Sequence, residues 1–130
     1  MASLLLYRFS QGEILQLQTM LGFLPDVKVI PVERTGFGMK IGDVLDGTES
    51  PAVFFGRDMD RKMLVIADAK GELFHMLLSA AGQVTKGQNV LRAMVTETNR
   101  AWTGLELYEH LIEEEAELRA PLKTDLFPKK

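Results

Sequence analysis

The side chains best placed to bind a ligand follow an alternating segment around residues 91–95 that the sequence predicts as a strand. The polar residues after it are Thr96, Glu97, Thr98 and Asn99, with Trp102 three positions further on. In open α/β sheets, loops at the carboxyl ends of strands are where ligands bind. Free amides and the dipole of a following helix favour an anion there. We therefore predict an anion or small-ligand site at this loop.

A structural interpretation competes for the same residues. Thr103 followed by Glu106 has the spacing of a capping box, in which each residue bonds the other's backbone amide. Trp102 before the cap and Leu107 after it have the spacing of a hydrophobic staple. Residues 98–99 are common turn formers. Because helix caps outnumber ligand sites, the sequence favours this interpretation.

A second set of candidates follows two apolar segments, 4–9 and 63–67. Ser10 comes after the first segment, and Asp68 and Lys70 come after the second. In a doubly wound sheet these residues flank the switch point, where a ligand meets both helix starts. Ser10 and Asp68 are equally typical of helix N-caps.

The sequence offers less evidence for a catalytic site or a metal site than for these ligand-binding loops. The chain has no cysteine, no nucleophile–base pair and no glycine-rich phosphate or dinucleotide motif. His110 has Glu106 and Glu113 at helical spacing, which is more typical of a solvated helix face than of a metal site. We therefore predict no catalytic residue, no metal and no cofactor, and we lean towards a protein that is not an enzyme.

Length and composition narrow the class further. The 130 residues carry a net charge of -3, and 46% are hydrophobic. This composition excludes wholesale disorder and disfavours nucleic acid as a partner. No apolar run reaches the roughly 18 residues of a membrane span, and the start of the chain is not typical of a signal peptide. We expect a cytoplasmic protein with no membrane contact.

Strands and helices alternate along the chain, which predicts an α/β fold. The segments 4–9 and 63–67 are apolar throughout and belong at the centre of one sheet, whereas 27–32 and 91–95 alternate and belong at its edges. Pro31 also favours an edge. These features predict a four-stranded doubly wound sheet in the order 2-1-3-4. A ferredoxin-like α+β sandwich is the alternative, and antiparallel pairing of the central strands would favour it.

The chain is expected to form one domain over residues 1–122 with two similar halves, 1–46 and 63–118. A connector, 47–62, joins them, and 123–130 is expected to be a flexible tail beyond Pro121. The comparison of the halves pairs residues 4–7 with 63–66 and Gly12 with Gly71, which predicts an internal repeat.

The second half resembles a family of small bacterial proteins that is known only as a domain of unknown function. The resemblance runs from Met63 to about Leu118. Its most specific part is the element Thr-x-Thr-Asn-x-x-Trp, from Thr96 to Trp102. It implies a bacterial origin and a shared fold, and it implies no reaction.

The leading functional hypothesis is a non-enzymatic binding or protein-interaction module. The first alternative is a small-ligand or anion sensor, or an enzyme, that uses loops at the carboxyl ends of the strands. The second is a structural assembly partner. The expected partners are a second copy in a homodimer and either an unknown protein or a small anionic ligand.

Overall fold

A computed structural model describes the backbone of residues 2–54 and 56–125, and the side chains as far as residue 118. Its regular elements, in chain order, are β1 (Ala2–Tyr7), α1 (Gln11–Leu21), β2 (Val27–Val32), α2 (Ile41–Leu45), β3 (Met63–Ala67), α3 (Gly71–Val84), β4 (Leu91–Met94) and α4 (Gly104–Asp125). Short 3₁₀ turns lie at Arg34–Gly36 and Asn99–Ala101.

The four strands form one mixed sheet in the order β2-β1-β3-β4. The predicted α/β class, the strand order and the central position of the two apolar strands are therefore confirmed. Every residue of β1 and β3 is buried. β2 lies at an edge, as Pro31 predicted, because a residue without an amide hydrogen cannot donate to a further strand.

The central pair differs from the doubly wound prediction. β1 pairs parallel with β2, and β3 pairs parallel with β4, but β1 and β3 are antiparallel. The chain forms two βαβ units that meet edge to edge. The carboxyl ends of β1 and β2 consequently lie at one end of the sheet, and those of β3 and β4 lie at the opposite end.

Two cores cover the two faces of the sheet. On one face α1 and α3 pack side by side over Leu4, Leu6, Leu64 and Ile66. On the other face Tyr7 and Val65 contact a cluster that includes residues of α2, the connector and α4. Alternate residues of one strand thus supply both cores, which explains why β1 and β3 are apolar without interruption.

The two βαβ units match each other at a separation of sixty residues. Arg8 and Asp68 both take positive φ after their strands, and the burial pattern of α1 recurs almost unchanged along α3. Leu5 pairs with Val65 across the central strands, so a pseudo-two-fold axis passes between them. The helices of the two units begin at Gln11 and Gly71, whereas the sequence comparison paired Gly12 with Gly71.

Several local predictions need correction. β1 ends at Tyr7, before the predicted limit, because Arg8 turns the chain with φ 70°. The N-cap of α3 is Lys70, and it makes no side-chain capping bond, so Asp68 does not cap this helix. The connector forms no strand among residues 52–54.

The backbone of α4 continues through Pro121 to Asp125, so the predicted end at that proline is wrong. The proline removes one backbone donor, and the turns on either side of it keep the helical path. The rest of the predicted tail, 126–130, lies outside the described residues. Within the part of the chain that is described, no helix is long and apolar enough to cross a membrane.

Candidate functional site

The largest of the cavities found lies where the parallel strands β1 and β2 end. Its volume is about 640 Å³. It is lined by Leu6, Arg8, Phe9, Ser10, Gln11, Ile14, Gln18, Pro31, Val32, Glu33, Arg34 and Phe37. The carboxyl end of a parallel strand pair is the position at which α/β proteins bind ligands. The apolar walls come from both strands and α1, and the charged groups come from the two loops that follow the strands.

Two arginines converge at this cavity. Arg8 Nη1 and Arg34 Nε each lie 3.8 Å from the same oxygen, Oδ2 of Asp58. All three side chains are between 43% and 56% exposed, so the guanidinium groups remain accessible. Guanidinium groups present planar forks of donors that match carboxylate and phosphate groups. The arrangement favours an anion at this end of the sheet.

Arg8 reaches this position through an unusual backbone conformation. Its φ of 70° lies in the left-handed region, which costs most side chains about 1–2 kcal/mol. The turn that it makes allows Phe9 to be buried and Ser10 to begin α1. Glycine would make the same turn without strain, but it would remove the guanidinium group.

Ser10 lines the cavity and caps α1. Its hydroxyl accepts a hydrogen bond from the Glu13 amide at 3.2 Å, and its own amide donates to Glu13 Oε1 at 2.9 Å. The predicted capping box is therefore formed. The first amides of α1 have no partner inside the helix and lie beside the cavity.

Glu13 joins α1 to the start of β3. Gln88 Nε2 donates to Glu13 Oε2 at 2.9 Å, and Lys62 Nζ lies 3.4 Å from Oε1. Lys62 also donates to Gln88 Oε1. Burial alone would raise the pKa of Glu13. The hydrogen bonds from Ser10 and Gln88 and the charge of Lys62 outweigh burial and lower this pKa below 4.5.

A second cavity of about 240 Å³ adjoins the first and shares Arg8 with it. Arg61 lines this second cavity, but its guanidinium is already occupied. It donates to Glu115 Oε1 at 2.8 Å and to the side chain of Asn89 at 2.7 Å. Arg61 therefore fastens α4 to the loop before β4, whereas the contacts of Arg8 and Arg34 with Asp58 are longer, at 3.8 Å.

The predicted residues Asp68 and Lys70 lie at the opposite end of the sheet from Ser10. The antiparallel central pair separates them, because Tyr7 lies beside Met63 and Ser3 lies beside Ala67. The single switch-point site expected of a doubly wound sheet is therefore not assembled. Asp68 and Lys70 are both exposed.

The loop Thr96–Asn99 also lies at that opposite end, and its polar groups bond mainly to one another. Asn99 is buried, and its Oδ1 accepts from the Thr96 amide at 2.8 Å. Its Nδ2 donates to the Met94 carbonyl at 2.9 Å, and its amide donates to Thr96 Oγ1 at 3.0 Å. Glu97 and Thr98 are exposed. This geometry supports a structural role for the loop.

Asn99 also closes part of the sheet edge. Leu91 and Val95 donate their amides to the carbonyls of Lys62, just before β3, and Ile66, within it, so the even-numbered residues between them direct their backbone groups outward. The Asn99 side chain bonds two of these outward groups, the carbonyl of Met94 and the amide of Thr96. The side-chain amide of Asn99 thus makes the two hydrogen bonds that a peptide group of a fifth strand would make.

Trp102 lies elsewhere, against α4. It is half-buried, and its ring stacks on His110 with centroids 4.2 Å apart and planes inclined by 15°. The capping box that follows is formed, since Thr103 and Glu106 each bond the other's amide. A cleft of about 210 Å³ beside Trp102 is lined by Glu106, Glu109, His110 and Glu113. Among the described residues, no three metal-ligating side chains are close enough to hold an ion.

Of the residues singled out from the sequence, Ser10 lines this cavity, whereas Arg8 and Arg34, which also line it, and Asp58 beside them were missed. Arg8 was placed inside the first strand, and arginine gives no signal of positive φ, unlike glycine or asparagine. Arg34 and Asp58 are separated by 24 residues and meet only because the connector folds back.

The fold and this cavity define a class: a small α/β protein of two βαβ units with a cavity, lined by two arginines and one glutamate, at the end of one parallel strand pair. Residues 62–118 match the family described as Domain of unknown function (DUF3783). The resemblance stated from the sequence is thereby confirmed, with nearly the same limits. No curated protein and no solved structure matches the chain. The matched region holds β3, α3 and β4, whereas Arg8, Arg34 and Asp58 precede it.

Proposed function

We propose that this protein is a non-enzymatic binding module that takes a small acidic molecule in the cavity at the carboxyl ends of β1 and β2. The observation that carries the proposal is the convergence of Arg8 and Arg34 on one carboxylate oxygen beside that cavity. A carboxylate or phosphate group of a ligand would meet the same two guanidinium groups. The apolar walls favour a ligand with an apolar body behind its charged group.

Size and chemistry support a ligand rather than a substrate. A cavity of about 640 Å³ falls within the roughly 300–1,000 Å³ typical of small-molecule sites. The hydroxyl among its lining residues is that of Ser10, and it is already engaged with the Glu13 amide. No histidine, cysteine or lysine lines the cavity. The lining residues thus supply binding groups without an activated nucleophile.

A titration with phenyl phosphate tests this proposal, because that probe joins a phosphate to an apolar ring. We expect saturable changes in the amide NMR signals of Arg8, Gln11 and Arg34. Benzyl alcohol, which has the ring without the anion, should produce much smaller changes. Arg34→Gln should weaken phenyl phosphate binding about tenfold, since a charged hydrogen bond is worth about 1.5–3 kcal/mol.

Arg92→Gln is the matched control, because it removes an arginine from β4, outside the lining of this cavity. It should leave phenyl phosphate affinity unchanged. Equal losses in Arg34→Gln and Arg92→Gln would mean that the probe responds only to net charge. Unsaturable shifts, or shifts centred on residues 96–102, would refute a site at β1 and β2.

We also propose that the module pairs as a homodimer, as expected from the sequence. Large apolar side chains exposed on the described surface support this, including Phe23 at 71%, Leu15 at 63% and Met94 at 48%. Light scattering over a dilution series is the test. A monomer mass at every concentration from micromolar upward would exclude the dimer.

The remaining parts of the proposal concern origin and setting. We infer that the two βαβ units arose by duplication, which the shared left-handed turns at Arg8 and Asp68 and the pseudo-two-fold pairing support. The resemblance of the second half supports a bacterial origin, and we propose the cytoplasm as the location.

A further inference from the structure

The connector between α2 and β3 lies over the loop that carries Arg34. Most of its described residues from 46 to 58 are exposed, and Phe54 is the half-buried contact. The Phe54 ring meets Phe37 edge to face at 6.0 Å, and Arg34 Cζ lies 5.7 Å from the Phe54 ring centre. The connector therefore contacts the Arg34 guanidinium through the Phe54 ring.

The buried anchor of the connector follows Asp58. Met59 is fully buried, and the Tyr108 hydroxyl accepts hydrogen bonds from the amides of Asp60 and Arg61 at 2.9 and 3.1 Å. Asp58 thus lies between this buried anchor and an exposed segment whose contacts include the Phe54 ring on Phe37 and the Arg57–Glu109 ion pair. A small movement of its side chain requires no change in the core.

Asp58 neutralises the two arginines without bonding them closely. Its Oδ2 lies 3.8 Å from both guanidinium groups, which is beyond hydrogen-bond distance, while its Oδ1 accepts from the Met59 amide at 2.8 Å. A carboxylate shared in this way is weakly held, since exposed ion pairs contribute little. A free anion could approach the same groups more closely.

We propose that Asp58 is a built-in competitor for the anion site: it occupies the two arginines in the empty protein, and a bound anion displaces it. This inference rests on the proposed function, because it concerns the same two arginines, which line the cavity. Asp58 raises the threshold for binding, so that weakly charged molecules fail to displace it. Displacement also removes the contacts of Asp58 with both arginines, which couples occupancy of the site to the position of the Asp58 side chain.

The test compares phenyl phosphate affinity in the wild-type protein and in Asp58→Asn. Asparagine keeps an oxygen for the Met59 amide but removes the competing charge. We expect Asp58→Asn to bind about three- to tenfold more tightly, as loss of two exposed ion pairs implies. The gain should shrink in 0.5 M salt, where exposed charges are screened to within about 4–5 Å. Glu49→Gln is the matched control, because it removes one negative charge from the same connector.

A structural readout accompanies the affinities. In the wild-type protein the Met59 amide signal should shift as phenyl phosphate saturates the site, because Asp58 Oδ1 moves. Affinity in Asp58→Asn that is equal to or weaker than that of the wild type would overturn the competitor while leaving the binding proposal intact. An equal gain in Glu49→Gln would also overturn it. Failure of both the wild type and Asp58→Asn to bind phenyl phosphate would refute the proposed function and this inference together.

Discussion

Arg8 is held in a conformation that glycine would adopt at lower cost. Asp68 occupies the equivalent position of the second βαβ unit, at φ 59°. Aspartate tolerates this region better than arginine does. The left-handed backbone costs arginine more than aspartate, yet arginine stands at the position beside the cavity. This favours the interpretation that the guanidinium group, rather than stability, determines the residue at that position.

We expect Arg8→Gly to be more stable than Arg8→Ala by about 1 kcal/mol, because both remove the guanidinium group and only glycine relieves the left-handed backbone. Urea denaturation of the two variants measures the difference. Asp68→Gly is the control for the turn itself, and it should leave phenyl phosphate binding unchanged, whereas Arg8→Gly should weaken it. Arg8→Ala at least as stable as Arg8→Gly would show that the turn is not strained.

Asn99 is expected to be structural. Asn99→Ala leaves the Thr96 amide and the Met94 carbonyl without their partner, which costs about 1–3 kcal/mol where these groups stay away from water. Thr98→Ala, at an exposed neighbour, should change the free energy of unfolding by less than about 0.5 kcal/mol. Thermal melts of both variants measure the contrast. If Asn99→Ala lowers the free energy of unfolding by no more than Thr98→Ala does, Asn99 is not structural and the loop is again a candidate ligand site.

Asn99→Ala should also free the outward edge of β4. Unpaired edges template strand pairing between molecules. We therefore expect concentration-dependent association of this variant by light scattering, beyond that of the wild type.

At the scale of the elements, sequence patterns identified what local chemistry determines. The capping boxes at Ser10 and Thr103 form as their spacing predicts, and β3 has the predicted bounds, 63–67. An apolar strand is buried at the centre of a sheet whether it runs parallel or antiparallel to its neighbours. These patterns did not predict whether β3 runs parallel or antiparallel to β1, because that direction depends on the path of the irregular connector.

The site was less predictable than the fold for the same reason. Ser10 was found because a cap has a fixed local spacing. Arg34 and Asp58 were not found, because their contact depends on how the connector crosses the loop after β2. The strand direction then decided which loops share an end of the sheet, and this separated Ser10 from Asp68.

The link between α1 and β3 through Glu13 should make stability depend on pH. The pKa of Glu13 is lowered in the folded protein, so its contribution is fully present above its ordinary value of 4.5. It is lost as the pH falls from there through the folded pKa. We expect Glu13→Gln to be less stable than the wild type at pH 7, and this difference should shrink as the pH falls below about 4.5. Denaturation curves from pH 7 to pH 3 measure it, and a constant difference would refute the link.

At the scale of the whole molecule, each βαβ unit covers the central strand edge and the apolar helix surface of the other. β3 is buried on both faces and has β1 along one edge, yet the matched region 62–118 contains neither β1 nor α1. A unit of this kind, taken alone, exposes its central strand and half of the core between α1 and α3. In this chain the N-terminal unit covers both surfaces.

A cut in the exposed connector tests this dependence. We expect the fragments 1–50 and 51–130, prepared separately, to lack cooperative unfolding or to self-associate, because each would expose an apolar strand edge. Mixed in equal amounts, they should form a one-to-one complex with the circular dichroism spectrum of the intact chain. The pseudo-two-fold axis between Leu5 and Val65 predicts the mode of self-association of 51–130, since β3 can pair antiparallel with a second β3 about Val65.

Val65→Lys within 51–130 should therefore abolish self-association of that fragment by placing like charges side by side. Leu118→Lys is the control, because Leu118 is 70% exposed on α4 and lies away from the axis. A fragment 51–130 that is monomeric and unfolds cooperatively would show that the matched region is complete without a second unit. In that case the N-terminal half would be an independent addition that carries the cavity with Arg8 and Arg34, and the two halves would be expected to separate without loss of either fold.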